Sequence, residues 1–138
     1  MRAIKNVMMT VMAIVAGTML CASIASATGL NGMKKTGIDV FCLVDEDGMT
    51  LYVNKRDSPG KSTCGAANGC LENWPVFYLD KLEPATGFNP ADFAVIIRED
   101  GKKQTTYKGM PLYYYSKDKT ADDTLGQGVD NAWYVAVP

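Results

Sequence analysis

The chain of 138 residues contains no histidine. This absence excludes a Ser-His-Asp triad and a Cys-His nucleophile, because both need an imidazole base. It also excludes a C-x-x-C-H haem attachment and removes the commonest ligand of zinc and copper sites. A phosphate-binding fingerprint is missing as well, since Gly126-Gln127-Gly128 has no third glycine.

Basic residues are too few and too scattered for a nucleic-acid-binding protein. The chain has 14 Lys and Arg residues and 15 Asp and Glu residues. Removal of the segment 1–27 takes Arg2 and Lys5 from the 14, so that 12 basic and 15 acidic residues remain. No basic stripe interleaves with the aromatic residues, and nucleic acid is therefore not an expected partner.

The segment 1–27 has the pattern of a cleavable secretory signal. Arg2 and Lys5 supply the positive start, residues 7–20 are apolar and uncharged, and Ala25-Ser26-Ala27 supplies the small residues before the cleavage site. We expect cleavage after this tripeptide and a mature domain of residues 28–138, periplasmic or secreted. An uncleaved anchor is the alternative, but its apolar stretch is shorter than the about 20 residues that cross a membrane.

Cys21 raises the question of a lipid anchor. It lies at the end of the apolar stretch, directly after Leu20. A lipoprotein signal needs a small residue at that position, so we do not expect lipid attachment at Cys21. No transmembrane segment then remains after signal cleavage.

Three cysteines remain in the mature chain. Cys64 and Cys70 flank a loop of Gly, Ala and Asn residues that is flexible enough to let them bond, and export favours a disulfide. A redox-active or metal-binding pair is the alternative, although such pairs usually have C-x-x-C spacing. Cys42 is left over in an apolar run, where we expect an inert buried thiol; exchange with the other two, or pairing with another chain, is the alternative.

A short motif occurs twice in the chain. Gly48-Met49-Thr50-Leu51-Tyr52 recurs in the second half as Gly109-Met110-Pro111-Leu112-Tyr113. Each tyrosine is followed five residues later by an aspartate, Asp57 in the first copy and Asp118 in the second. The same order and spacing in both copies indicate an internal duplication.

The duplication extends to the tryptophans and divides the mature chain into two halves. Trp74 follows the first copy of the motif, and Trp133 lies in the matching place after the second copy. We therefore expect one domain over residues 28–138, with repeats at about 40–79 and 93–138.

Apolar runs bounded by turn residues predict an all-β fold. Residues 41–48 and 93–101 each run from a phenylalanine to an Asp-Gly turn. We match these two segments, the leads of the repeats, to each other as the equivalent first strands. We expect an extra strand at residues 103–107 in the second half, and only short helical turns, near residues 70–73 and 89–92. The predicted fold is a small antiparallel β domain made of two related strand-turn repeats.

Alternation along the motif strand predicts which side chains share a face. Leu51 and Val53 should face the core, while Tyr52 and Asn54 point to the opposite side. The second copy has the same parity.

These motifs resemble a bacterial family of secreted repeats with a Y-x4-D motif, also described as predicted lipoproteins with a Y-x-[FWY]-x-x-D motif. The resemblance covers about residues 40–138. The motifs that carry it are Gly48 to Tyr52 with Asp57, Tyr107 to Tyr113 with Asp118, Cys64 and Cys70 before Asn73-Trp74-Pro75, and Asp123 to Gly128 with Trp133. The family has no settled biochemical activity, so the resemblance implies an exported repeat protein without implying a reaction.

The sequence departs from the family pattern in two places, at the lipid-attachment cysteine, which Cys21 does not convincingly provide, and at Asn54. Asn54 stands two residues after Tyr52, where the pattern has an aromatic residue, whereas Tyr115 keeps the aromatic in the second copy. A role that needs two equivalent aromatic pairs is therefore not expected.

The acidic residues have two possible chemical roles. Asp57 and Asp118 could converge as a carboxylate pair, as glycoside hydrolysis requires, but aspartates that cap turns explain the duplication equally well, and we expect no catalytic residue. Oxygen-rich loops could instead hold calcium, although neither acidic cluster fits the D-x-[DN]-x-[DN]-G loop. The weak calcium candidates are Asp45, Asp47, Asp122 and Asp123.

Aromatic side chains suggest a surface for binding. Tyr115 and Trp133, together with the motif tyrosines, could form a shallow platform for a sugar, a peptide or a protein surface. The alternative is that Trp74 and Trp133 are equivalent core residues at the ends of the two repeats.

The sequence therefore favours an exported, non-enzymatic β protein that serves as a binding or accessory module of the cell envelope. Its partner would be an envelope protein or a small ligand, and no cofactor is expected. The alternative is a small redox- or metal-associated periplasmic protein that uses Cys42, Cys64 and Cys70 or the acidic loops.

A thiol count on the exported protein distinguishes these two interpretations. With a stable bond between Cys64 and Cys70, one thiol, that of Cys42, should react with a thiol reagent in denaturant, and three should react after reduction. A readily reduced bond, or exchange onto Cys42, would instead support the redox alternative.

Overall fold

A computed structural model describes residues 29–35 and 37–138 of the chain. The predicted signal and Cys21 lie outside these residues. No helix in the described part is both long enough and apolar enough to cross a membrane.

The chain forms short strands and very little helix, as its turn-rich sequence predicts. The elements are β1 (Gly29–Lys35), β2 (Val40–Asp45), β3 (Tyr52–Asn54), α1 (Cys70–Asn73), β4 (Glu83–Pro84), β5 (Phe93–Ile97), β6 (Lys103–Tyr107), β7 (Met110–Pro111) and β8 (Trp133–Val135), with 3-10 turns at Pro90–Asp92 and Val129–Asn131. The predicted strand at residues 103–107 and both predicted helical turns are present.

Residues 29–35 and 37–138 form three small sheets. The first has the order β2-β1-β4, the second pairs β3 with β8, and the third is the meander β5-β6-β7. All pairings are antiparallel except that of β1 with the two-residue strand β4. The predicted small antiparallel β fold is confirmed.

The two repeats meet at a backbone bridge between their motif tyrosines. The Tyr52 N–H donates to the Tyr113 carbonyl at 2.8 Å, and the Tyr113 N–H donates to the Tyr52 carbonyl at 3.0 Å. Because each residue plays the same part for the other, the repeats face each other across an approximate twofold axis.

Hydrogen bonds also show which residues of the two repeats are equivalent. Leu51 donates its N–H to the carbonyl of Leu43 at 3.0 Å, and Leu112 donates to that of Thr105 at the same distance. Leu43 and Thr105 themselves donate to matching positions, Ala136 and Phe77. Strand β2 is therefore the counterpart of β6, and β1 is the counterpart of β5.

This equivalence corrects the predicted match between the two leads. Residues 41–48 correspond to β6 and the turn after it, and not to residues 93–101. The error has a physical origin, because Asp-Gly favours a tight turn wherever it occurs. Asp47-Gly48 turns the chain from β2 towards β3, whereas Asp100-Gly101 closes the hairpin between β5 and β6.

Alternation along the motif strands is confirmed, but both faces of these strands are buried. Leu51 and Leu112 belong to one hydrophobic cluster, with Val53 packed against it. Tyr52 and Tyr113 belong to a second cluster on the opposite side, and both are fully buried. The motif strands therefore lie between two cores.

Gly126 packs closely against the buried cluster that contains Tyr52. A Cβ atom added to this residue would lie 2.7 Å from Tyr52 Cε1 and 2.9 Å from Trp74 Cη2. The loop after Asp118 can pack against the first repeat only because this position has no side chain.

Replacement of Gly126 by alanine tests this packing. We expect Gly126→Ala to lower the free energy of unfolding by about 1–3 kcal/mol, because two buried rings must move. Gly65→Ala is the matched control, since a Cβ there meets no atom within 4 Å, and it should change the free energy by less than about 0.5 kcal/mol. Urea unfolding measures both, and equal losses would contradict the packing.

Candidate functional site

The motif tyrosines and aspartates pair across the two repeats. The Tyr52 hydroxyl donates to Asp118 Oδ2 at 2.6 Å, and the Tyr113 hydroxyl donates to Asp57 Oδ2 at 2.7 Å. Each tyrosine is thus bonded to the aspartate of the other repeat. The two bonds flank the backbone bridge between the tyrosines.

The second oxygen of each aspartate holds the loop that follows it. Asp57 Oδ1 accepts from the Thr63 N–H at 2.8 Å and from the Thr63 hydroxyl at 2.7 Å. Asp118 Oδ1 accepts from the Leu125 N–H at 2.9 Å. A turn-capping aspartate would accept from a donor two residues on, but the donor to Asp57 lies six residues on, so the aspartate closes a whole loop.

Burial keeps the hydroxyls of Tyr52 and Tyr113 protonated, so that both remain hydrogen-bond donors. Burial raises the pKa values of Tyr52 and Tyr113, and the hydrogen bonds to the aspartates raise them further, although the hydrogen bond between Ser62 and Tyr113 lowers the pKa of Tyr113. Burial also raises the pKa of Asp118, against the lowering effect of its hydrogen bond from Tyr52. Both aspartates are 7 % exposed, and their side-chain oxygens accept from protein groups.

A buried lysine forms a further link between the repeats. Lys35, at the end of β1, is 1 % exposed, and its Nζ donates to the carbonyl of Gly48 at 2.8 Å and to that of Ala121 in the second repeat. Sequence reasoning missed this role, because an isolated pair of adjacent lysines, here Lys34 and Lys35, is typical of a solvated surface.

Arg98 occupies the equivalent position after β5. Its guanidinium donates to Ser62 Oγ at 2.8 Å, to Gln104 Oε1 at 2.6 Å and to the carbonyl of Cys64. Arg98 therefore holds the loop of the first repeat, as Lys35 holds the loop of the second. Lys35 and Arg98 occupy equivalent positions because β1 pairs with β2 as β5 pairs with β6. A sequence-based prediction of β1 would have indicated that these two residues correspond.

The predicted disulfide between Cys64 and Cys70 is present, with 5.3 Å between the Cα atoms. Cys42 is a free and fully buried thiol, as predicted. Burial raises the pKa of Cys42 despite the nearby charge of Lys35, so the thiol stays in its less reactive protonated form.

The weak calcium candidates lie in two separate turns. Asp45 Oδ1 accepts from the N–H groups of Asp47 and Met49, and its Oδ2 accepts from the Tyr114 hydroxyl at 2.9 Å. Among residues 29–35 and 37–138, no three His, Cys, Asp or Glu side chains are grouped to hold a metal ion. Asp45 therefore holds its own turn and the hydroxyl of Tyr114, which packs against the cluster that contains Leu51 and Leu112.

The second acidic turn has the same construction. Asp123 Oδ2 accepts from the N–H groups of Lys119 and Thr120 at 2.6 and 2.9 Å. These two bonds lower the pKa of Asp123. Its neighbour Asp122 is exposed.

The predicted aromatic platform is wrong, because its members are buried. Tyr115 is 8 % exposed and Trp133 is 2 % exposed. The rings of Trp74 and Trp133 stack in parallel with 3.7 Å between their centroids, and Tyr115 stacks on Trp74 at 4.2 Å. The tryptophans are therefore core residues, which was the alternative interpretation.

The stacked tryptophans line a polar cleft of about 500 Å³. The cleft is bounded by Asn54, Arg56, Thr63, Cys64, Asn68, Gly69, Cys70, Asn73, Trp74, Asp130 and Trp133. These side chains come from both repeats, so the cleft exists only where the repeats meet. Most of them carry hydrogen-bonding groups.

A difference between the repeats accounts for the position of the cleft. Tyr115, the counterpart of Asn54 in the second copy of the motif, lies against Trp74. Asn54 is the partner of Trp133 in the pairing of β3 with β8. The first repeat thus has a small amide where the second has a ring, and the cleft opens beside this amide.

Both indole N–H groups of the cleft lack a protein partner. Trp74 and Trp133 make no side-chain hydrogen bond within the described part of the chain. No fully sealed side-chain nitrogen or oxygen there lacks a partner, so each indole nitrogen keeps contact with solvent. Trp74 and Trp133 both line the cleft.

Comparison with protein families identifies the repeats. A family model described as a secreted repeat of unknown function matches residues 42–78 and 94–137. The chain belongs to this secreted repeat family, and the two matched ranges are its two repeats. No curated protein and no solved structure matches the chain.

Removal of each tyrosine hydroxyl tests the cross-repeat pairs. We expect Tyr52→Phe and Tyr113→Phe each to lower the free energy of unfolding by about 1.5–3 kcal/mol, because each leaves the Oδ2 atom of a buried aspartate without its donor. Tyr78→Phe is the matched control, since its hydroxyl donates to Asp80 at 2.8 Å in an exposed position.

The control should change the free energy by less than about 0.5 kcal/mol in urea unfolding. A loss at Tyr52 or Tyr113 no larger than that at Tyr78 would contradict a stabilising role of the pairs.

Proposed function

We propose that this member of the secreted repeat family is a non-enzymatic binding module of the bacterial cell envelope that receives a small polar ligand in the tryptophan cleft. Residues 1–27 would be removed on export, and the protein would act in the periplasm or outside the cell. The family description, a secreted repeat, supports export. The disulfide between Cys64 and Cys70 is also typical of an oxidising compartment.

The observation that carries the proposal is the pair of indole N–H groups at the cleft. An indole N–H that keeps solvent contact and has no protein acceptor can donate to an acceptor from outside the protein without breaking an existing bond. Trp74 and Trp133 are 4 % and 2 % exposed, yet neither donates to a protein acceptor in the described part of the chain. A ligand with acceptor oxygens would satisfy both.

The geometry of the motif aspartates favours binding over catalysis. A general acid or base must reach a substrate, but Asp57 and Asp118 are each engaged by a tyrosine and by the following loop. We therefore assign them to holding the repeats together, and we assign no catalytic residue.

The redox- or metal-associated alternative has less support. Thiol exchange needs a thiolate, and burial raises the pKa of Cys42. Asp45 and Asp123 accept from backbone N–H groups of their own turns, which leaves fewer oxygens for an ion.

A ligand screen with a cleft-filling variant tests the proposed function. Asn54→Tyr should place a ring beside Trp133, as Tyr115 lies beside Trp74, and so fill the cleft. It also removes the buried amide that accepts from the Arg56 N–H, so each compound is compared with the melting temperature of the variant alone. We expect at least one small polar compound to raise the melting temperature of the exported protein, because a ligand that binds only the folded state stabilises it. The same compound should not raise the melting temperature of Asn54→Tyr.

Two results would contradict the proposal. One is that every stabilising compound acts equally on the variant. The other is a hydrolytic activity that Asp118→Asn abolishes in a protein that remains as stable as the parent.

A further inference from the structure

We infer that the tryptophan cleft binds a small carboxylate that also carries hydroxyl or ammonium groups, such as a sugar acid or an amino acid. This inference rests on the proposed function, and it specifies the class of ligand. It is carried by the donors, the single cation and the single acid that line the cleft.

Arg56 provides the group that would recognise a carboxylate. Its backbone N–H donates to Asn54 Oδ1 at 2.9 Å, which holds the residue at the rim of the cleft. Its exposed guanidinium has no ion pair and no hydrogen bond within the described part of the chain. A free guanidinium presents two parallel N–H groups, which match the two oxygens of a carboxylate.

We take the indole N–H groups of Trp74 and Trp133, which line the cleft and have no protein acceptor in the described residues, as two further donors. Together with the guanidinium of Arg56, these N–H groups give the cleft more free hydrogen-bond donors than the one free carboxylate of its described residues, that of Asp130, can accept from. A ligand rich in acceptor oxygens fits this excess, because every donor then finds a partner.

The carboxylate of Asp130 favours a ligand that carries a hydrogen-bond donor as well as its own carboxylate. Its carboxylate has no partner in the described residues and lines the same cleft as the cation. Its φ of 54° lies in the left-handed region, as does the φ of 50° of Asn131, which is unusual for two successive non-glycine residues. An acid held in this way would repel a simple anion and would accept from a hydroxyl or ammonium group.

The second repeat does not repeat the site, although it repeats the fold. The residues of the second repeat that correspond to Asn54 and Arg56 are Tyr115 and Lys117. Tyr115 covers Trp74 in place of an open cleft. One ligand per chain is therefore expected, and Lys117 provides a matched charge outside the cleft.

Isothermal titration of the exported protein tests the inference with four probes. D-glucuronate represents sugar acids and L-alanine represents amino acids, while D-glucose lacks the carboxylate and acetate lacks the donors. We expect one of the first two to bind saturably with one site per chain, and to bind more tightly than glucose or acetate. The probe that binds distinguishes the two sources of the carboxylate.

Charge variants then identify the contact. Arg56→Gln should weaken binding by about tenfold or more, because it removes a charge-assisted pair. Lys117→Gln removes the same charge at the equivalent position of the other repeat and should leave the affinity within about twofold. Asp130→Asn keeps a side chain that tolerates the left-handed backbone, and it should strengthen the binding of acetate by removing a repulsion.

Three outcomes would overturn the inference. Equal weakening by Arg56→Gln and Lys117→Gln would show binding through net charge alone. Binding of glucose as tight as that of glucuronate, abolished by Asn54→Tyr, would reject the carboxylate but leave the proposed function intact. Failure of all four probes, with no other compound sensitive to Asn54→Tyr, would reject both.

Discussion

The exchange of tyrosine hydrogen bonds between the two repeats is the constraint on which the rest of the structure depends. A buried hydroxyl or carboxylate is strongly unfavourable without a partner. Tyr52 and Tyr113 each find that partner in the other repeat, at Asp118 and Asp57. Neither repeat can therefore satisfy its own buried groups alone. Lys35 acts in the same direction, because its side chain binds a carbonyl of the opposite repeat.

This constraint also explains the location of the candidate site. The exchange brings Trp74 and Trp133 face to face at 3.7 Å, and the cleft opens where these rings end. If the two repeats were identical, rings would cover both outer faces of the stack. Asn54 in place of a second ring leaves one side open. The fold thus follows from the similarity of the two repeats. The candidate site depends on a position at which the repeats differ, Asn54 in the first and Tyr115 in the second.

Much of the fold could be predicted from local patterns, but the contacts between repeats could not. The duplicated motif, the alternation around Leu51 and the loop between Cys64 and Cys70 each express short-range geometry. A tyrosine with an aspartate five residues later suggests a local turn, and nothing in that spacing indicates a partner in the other copy. Alternation predicts opposite faces without indicating whether both are covered, so the sequence left open whether Tyr115 and Trp133 lie at the surface or in the core. Strand β1 was missed because its glycines and lysines give no apolar pattern.

The central claim is that the two repeats form one cooperative unit, and native-state hydrogen exchange tests it most directly. The Leu51 N–H bonds within the first repeat and the Leu112 N–H bonds within the second. If neither repeat can remain folded without the other, both amides should exchange only through global unfolding, with the same free energy of opening. A difference of more than about 1 kcal/mol between them would show that one repeat opens alone, which would contradict the account.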